Sequence, residues 1–170
     1  MTEAFIVEIL RSQHDRTSFA CGVAALDRYF REIVSQDIRR RLSNCFVAVD
    51  PNATVAGYYT FAATAVPLTE LPAEQTRRLP RYPSVPAGLI GRLAVDRRFQ
   101  GQGVGSVMIV DAVARATRAD TAIYALVVDV KDDAALRFYV HHGFQPFHSH
   151  PMTLFLPLAE AARRLSSRTQ

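Results

Sequence analysis

A glycine-rich turn set between an apolar strand and an amphipathic helix constrains this chain more than any other feature. The segment RLAVDRRFQGQGVGSVM, Arg92 to Met108, leaves a strand predicted over Leu89–Val95, turns over Gln100–Gly105 and enters a helix predicted over Val104–Arg118. Gly101, Gly103 and Gly105 allow the backbone to curl so that successive N–H groups point inward, and the helix N-terminus adds partial positive charge. Such a concavity suits a phosphate or diphosphate. A lysine-bearing P-loop is excluded because no lysine follows these glycines, and a dinucleotide fingerprint fails at the third glycine. What remains is Gln100-x-x-Gly103-x-Gly105 after a strand.

The flanking pattern supplies a sheet for this turn to sit on. Ala122–Val130 is a nearly continuous apolar run, as expected of a strand covered on both faces. Asp132–His141 reads as a helix with an acidic start that can cap it, ended by Gly143 in a left-handed cap. Upstream, Ala4–Leu10 reads as a strand. Ala24–Leu42 reads as an amphipathic helix with Leu26, Tyr29, Phe30 and Ile33 on its apolar face and Asp27, Arg28, Arg31 and Glu32 on the other. Cys45–Val49 and Val55–Val66 read as strands around the turn Asp50-Pro51-Asn52. Five prolines between Pro67 and Pro86 preclude a long regular element there. That stretch is expected to be a loop with a short helix near Glu74–Arg78, long enough to be a binding segment. Short strands near Phe144–Phe147 and Met152–Leu156 and a terminal helix from Leu158 complete the pattern. The order argues an α/β or α+β fold, a mixed central sheet flanked by helices. At 170 residues, one domain over 1–170 is expected.

Charge narrows the partners less. The net charge is +4, and every basic residue except Lys131 is arginine. Arg39–Arg41, then Arg77, Arg78 and Arg81, then Arg92, Arg97 and Arg98 form clusters that suit a polyanion, although a solvated basic surface accounts for them equally well. The Arg39–Arg41 run also complements the negative end of its own helix. No apolar run approaches the roughly 18 residues that span a bilayer. The first residues, with Glu3 and Glu8, do not read as a signal peptide, so a reducing cytoplasm is expected. Cys21 and Cys45 lack ligand spacing and are expected to be small buried side chains. His141, His142, His148 and His150 are expected at the surface, and no metal site is expected.

The loop pattern resembles the pyrophosphate loop of the GNAT-family N-acetyltransferases. The likeness continues through Asp132-x-x-Ala135-x-x-Phe138-Tyr139-x-x-x-Gly143-Phe144, which is similar to the second half of that family's core. Asp132 stands where members often carry Asn. The resemblance implies a sheet with splayed strands at an acetyl-CoA site. The main chain over Leu93, Ala94 and Val95 would pair with the pantetheine arm. The amides of Gln100, Gly101, Gln102, Gly103, Val104, Gly105 and Ser106 would cradle the diphosphate, with Asp132 in the same cofactor site and Tyr139 facing the thioester sulfur.

Acyl transfer to an amine needs a neutral nucleophile, a donor for the developing oxyanion and a proton for the departing thiolate. A backbone N–H near Val95 suits the second requirement. Tyr139, an ordinary phenol near pKa ~10 against a thiol near ~8.5, suits the third. Many family members place a glutamate on the strand before the loop; this chain has Arg92 there, which cannot accept a proton. Deprotonating a lysine amine at neutral pH costs about 4–5 kcal/mol, against about 1 for an α-amine. The missing base therefore favours an α-amine.

Three further segments resemble one branch of the family, the aminoacyl-tRNA-acetylating toxins of toxin–antitoxin modules. They are Phe19-x-Cys21-Gly22-x-x-x-Leu26-Asp27-x-Tyr29, Val55-Ala56-Gly57-Tyr58-Tyr59-Thr60 and Ile90-Gly91-Arg92-Leu93-Ala94-Val95-Asp96. The resemblance implies acetylation of aminoacyl-tRNA, block of translation, a ribbon–helix–helix antitoxin and a homodimer. Arg77, Arg78 and Arg92 are the candidates for RNA phosphate contacts. Two other readings stand beside it: an acetyltransferase for a small amine, peptide or protein N-terminus, and a non-catalytic acyl-CoA-binding module.

Overall fold

The computed structural model describes residues 4–167. Its strands are β1 (Ile6–Ile9), β2 (Asn44–Val49), β3 (Val55–Pro67), β4 (Ser84–Val95), β5 (Ala125–Asp129), β6 (Gln145–Pro146) and β7 (Thr153–Pro157). Its α-helices are α1 (Ala24–Arg28), α2 (Val34–Arg39), α3 (Ala73–Thr76), α4 (Val104–Arg118), α5 (Asp133–His141) and α6 (Leu158–Ser167). Among the described residues the strands form one mixed sheet in the order β1-β2-β3-β4-β5-β7-β6. The β4–β5 pair is parallel, whereas β1–β2, β2–β3, β5–β7 and β6–β7 are antiparallel. The chain divides into two compact units, one holding the residues up to Ala62 with Gly91–Ala112, the other Ala63–Ile90 with the residues from Val113 on. No helix of the described residues is long and apolar enough to cross a membrane.

In the first unit, the hairpin from β2 to β3 is closed by Asp50, whose carboxylate accepts the N–H groups of Asn52 at 3.0 Å and Thr54 at 2.8 Å. The single helix expected over Ala24–Leu42 is instead α1, a π-helical turn over Tyr29–Ile33, and α2. The wider turn adds a residue to the helical register, so Asp27, Tyr29, Phe30 and Val34 are all buried. Asp27 was expected on the solvent face. Its carboxylate turns inward to accept the Cys21 N–H at 2.7 Å. The helix stops short of Leu42 because Arg41 adopts a left-handed conformation, φ 60°, and the Leu42 N–H returns to the Asp37 carbonyl. Cys45 is buried as expected, whereas Cys21 is half-buried. At the centre, the Phe30 ring lies nearly parallel on Tyr58 at 4.3 Å, and Phe19 meets both edge-on. The Tyr58 hydroxyl donates to the Leu26 carbonyl at 2.7 Å, so this ring both fills the core and ties α1 down.

In the second unit, β4 pairs with β5 from Ala87 against Ala125 to Ile90 against Val128. Ala125, Leu126, Val127 and Val128 are all buried, as a strand covered on both faces requires. β4 begins at Ser84 rather than Leu89 and runs through Pro86, whose carbonyl accepts the Tyr124 N–H at 2.8 Å. Proline removes a donor but leaves this acceptor, so the strand survives it. Val66, Leu71, Val85, Ala87, Val127 and Phe155 form the core of this unit. The proline-rich stretch holds one 3₁₀ turn at Leu68–Glu70 and then α3, which begins and ends earlier than the Glu74–Arg78 expected.

Replacing Phe30 by Ala should lower unfolding free energy by about 3–5 kcal/mol, because the ring is wholly buried and a cavity would replace the stack. Tyr58→Phe, which keeps the ring and removes only the hydroxyl bond, should cost about 1 kcal/mol. Urea titrations read both values, and a Phe30→Ala cost no larger than that of Tyr58→Phe would contradict this account of the core.

Candidate functional site

The first unit carries the glycine loop. β4 ends at Val95, Asp96 begins a 3₁₀ turn over Arg97–Phe99, and Gln100–Gly103 lead into α4. Gly101 and Gly103 hold φ of 80° and 83°, which L side chains rarely adopt. A Cβ built at either would find nothing within 4 Å, so both face open space. Gly105 does not take part in the curl: it is the second residue of α4. The first helical bond runs from the Val107 N–H to the Gly103 carbonyl at 3.0 Å, and the amides of a helix's opening turn have no carbonyl one turn behind them. An open, positively polarised, backbone-lined concavity fits a diphosphate.

A glycine in β3 brings the helix close enough to the sheet. A Cβ at Gly57 would lie 2.9 Å from the Ala94 carbonyl, 2.9 Å from Met108 and 3.1 Å from Val104. The start of α4 thus sits directly on the β3 backbone. The pairing of β4 with β5 covers Ala87–Ile90, and Leu93, Ala94 and Val95 lie beyond it. That leaves a stretch of extended main chain suited to accepting another extended chain.

Sequence reasoning named Gln100 and Gln102 for their main-chain amides, and missed Asp96 and the side-chain bonds that hold the loop. Asp96 is 1% exposed, and its carboxylate accepts the Arg98 N–H and Nε, both at 2.9 Å, Arg98 Nη2 at 3.2 Å and the Ala20 N–H at 3.1 Å. Burial alone would raise its pKa, but these hydrogen bonds outweigh it and hold the carboxyl below its usual range. The Arg97 N–H donates to the Ala20 carbonyl at 2.9 Å, and the Arg97 side chain lies over Gly22, whose φ is 102°. Gln100 Nε2 reaches the carbonyls of Val95 at 3.1 Å and Cys21 at 3.0 Å, and Gln102 Nε2 reaches the Arg98 carbonyl at 3.3 Å. The Phe19–Gly22 stretch is therefore a brace for the loop and not simply a helix entry. The only sequence signal was the recurrence of these segments together.

Arg92 is half-buried, and its guanidinium stacks on the Tyr29 ring at 3.5 Å. The Tyr29 hydroxyl in turn donates to Asp37 at 2.8 Å. Arg92, Leu93, Ala94, Val95 and the loop from Gln100 to Ser106 all belong to this first unit.

The second unit carries the other predicted residues. Asp132 caps α5 as expected, accepting the Ala135 N–H at 2.7 Å. Tyr139 is buried on that helix between the rings of Phe138 at 5.1 Å and Phe144 at 5.2 Å. Burial pushes its hydroxyl well above the ordinary phenol range, not the near-ordinary value expected from sequence. Gly143, with φ 96°, ends the segment in the left-handed cap expected. Arg77 and Arg78 are exposed, and Arg78 lines a 280 Å³ cavity with Glu74, Tyr124, Glu160 and Arg163. His141, His148 and His150 are exposed, and His142 is half-buried against the Phe138 ring. Among the described residues, no group of three or more His, Cys, Asp or Glu side chains could hold a metal ion.

The profile of the Acetyltransferase (GNAT) family matches residues 6–144. A tRNA-acetylating toxin of Mycobacterium tuberculosis (strain ATCC 25618 / H37Rv) is 36% identical over 149 residues, covering 86% of this chain and 88% of that one. Among solved structures, AtaT complexed with acetyl-methionyl-tRNAfMet is similar with a TM-score of 0.83 at 26% identity, covering 98% of this chain and 100% of that one. A mutant of the same toxin, bound to the C-terminus of the antitoxin AtaR and to acetyl-CoA, has a TM-score of 0.76 at 23% identity. It covers 95% of this chain and 98% of that one, and carries the fold alone.

Gly103→Ala meets no steric obstacle but forces an L side chain into the left-handed region, at a cost of about 1–2 kcal/mol. Affinity for coenzyme A should fall by roughly tenfold in calorimetry, and the unfolding free energy should drop by no more than that strain of about 1–2 kcal/mol. An unaltered affinity would remove this loop from the binding site.

Proposed function

This chain belongs to the acetyltransferase (GNAT) family, and from that premise we propose that it acetylates the α-amine of amino acids already esterified to tRNA, acting as a toxin that blocks translation. The observation that carries the cofactor half of this reading is the loop. Two left-handed glycines open onto the first turn of α4, which suits the diphosphate of coenzyme A. The relatives carry the substrate half, since one is a tRNA-acetylating toxin and another is complexed with acetyl-methionyl-tRNAfMet.

Acetyl-CoA is the co-substrate and supplies an activated acyl group as a thioester. Gly101–Ser106 hold its diphosphate through main-chain amides, and the backbone over Leu93–Val95 orients its pantetheine arm. The amine must arrive neutral, and β4 offers Arg92 where a carboxylate base could stand. An α-amine meets that demand for about 1 kcal/mol at neutral pH, and less when esterification lowers its pKa further. As the amine attacks, a backbone N–H near Val95 takes the charge gathering on the carbonyl oxygen. Tyr139 then gives its proton to the departing sulfur as the C–S bond breaks, and the proton that the attacking nitrogen sheds as it becomes an amide restores the phenol. Its raised pKa keeps it protonated throughout the physiological range, so it is always available as a donor. Asp132 fixes the start of the helix that carries it.

Arg77, Arg78 and Arg92 are assigned to phosphates of the RNA acceptor. The working protein is one acetyltransferase domain over residues 1–170, a cytoplasmic homodimer neutralised by a ribbon–helix–helix antitoxin.

Purified protein incubated with labelled acetyl-CoA should transfer label to aminoacyl-tRNA. Tyr139→Phe should lower kcat by roughly 10²–10⁴ while leaving coenzyme A affinity in place. Its rate on tRNA should fall by about tenfold or more between 50 and 200 mM salt, whereas a small amine's rate would stay flat. Label on small amines alone would overturn the substrate assignment, and full activity in Tyr139→Phe would overturn the mechanism.

The pH profile gives a separate check. The rate should rise as the amine loses its proton near or below pH ~8 and then stay level to about pH 9, because the Tyr139 hydroxyl deprotonates only beyond the ordinary phenol value. A falling limb below pH 9 would mean that a different group supplies the proton.

A further inference from the structure

We infer that the side chains of Asp96 and Gln100 are positioning residues which lock the diphosphate loop in its binding shape before any ligand arrives, using the Phe19–Gly22 stretch as the anchor. This deepens the proposed function and rests on its reading of the loop as the coenzyme A grip. A loop with two left-handed glycines is intrinsically loose, and a ligand that had to order it would lose affinity to that ordering. Here the loop is held on its approach and again at Gln102. Gln100 stands directly before Gly101, and both partners of its Nε2 are carbonyl oxygens, which fixes the amide as a donor to Val95 and Cys21 together. The bond to Val95 sets where β4 stops; the bond to Cys21 sets where the loop departs.

Asp96 secures the turn that leads into it. Its buried carboxylate gathers the Arg98 backbone and guanidinium and the Ala20 N–H, while its own N–H pairs with the Ala56 carbonyl at 2.8 Å. Arg98 passes the constraint onward, since its carbonyl accepts from Gln102, the residue between the two left-handed glycines. None of these side chains is needed to touch the diphosphate. They act by fixing the main chain that does. In this reading, the Phe19-x-Cys21-Gly22 segment serves cofactor affinity from a distance of more than seventy residues along the chain.

Gln100→Met keeps the length and neutrality of an exposed side chain while removing its donors. In the full chain it should raise KM for acetyl-CoA and the calorimetric Kd for coenzyme A by about tenfold, the equivalent of one to two hydrogen bonds. The kcat at saturating acetyl-CoA should stay within about twofold. Acetyl-pantetheine, which lacks the diphosphate, should be used equally well by wild type and variant. Asp96→Asn should act in the same direction; because its site is buried it can also impair folding, so Gln100→Met decides the matter. Unchanged KM and Kd in Gln100→Met would overturn the inference, as would an equal loss with acetyl-pantetheine. Failure of the wild-type protein itself to bind coenzyme A would instead sink the reading of the loop on which the inference stands.

Discussion

A single buried carboxylate organises the part of this protein that matters most. Asp96 is removed from water, which by itself would favour its neutral form, yet four donors surround it and keep it ionised. The arrangement is stable because each donor is also structural: one amide comes from the Phe19–Gly22 stretch, one from the turn leading to the glycine loop, and two from a guanidinium bound at both oxygens. Remove the charge and those donors are left facing one another. The loop conformation, the end of β4 and the path of the chain before α1 all follow from satisfying this one anion.

Steric economy complements the electrostatics. Gly57 lets the start of α4 rest on the backbone of β3, and the Phe30–Tyr58 stack fills the space below while the Tyr58 hydroxyl holds α1. The π-helical turn is what permits that stack. Without the extra residue in the register, Asp27 would be carried away from Cys21 and the ring of Phe30 away from Tyr58. The two tyrosines nearest this turn serve different ends, since Tyr29 faces Arg92 and Tyr58 faces the core.

The features legible in the sequence are those with local causes. The span of α4, the Asp132 cap, the left-handed Gly143 and the apolar run of β5 all read correctly because capping, backbone permissiveness and burial pattern act within a few residues. The strand order, by contrast, could only be expected from resemblance. The misreadings arise where the folded contacts of a residue, and not its place in a local pattern, decide its role. Asp27 pattern-matched a solvent face because its acceptor role depends on Cys21. Gln100 drew attention for its amide, whereas its side chain is occupied by Cys21 and Val95. Reading proline as a breaker starts β4 late, because Pro86 still offers the carbonyl that pairs with Tyr124. Spacing alone groups Gly105 with its neighbours, although of the three only Gly101 and Gly103 use the conformational freedom. The Tyr139 hydroxyl reads as an ordinary phenol because its aromatic neighbours are legible in the sequence and the depth of its burial is not.

The halves of β4 answer to different demands. From Ser84 to Ile90 its side chains are mortar for an apolar core, and shape matters. From Gly91 to Val95, on the proposed reading, the peptide groups themselves form a berth, and Arg92 is the one side chain whose identity counts as much. One continuous strand thus passes from a segment intolerant of altered volume to one intolerant of altered backbone, with the boundary where its parallel pairing stops at Ile90. Proline, harmless at position 86, would be ruinous at 93.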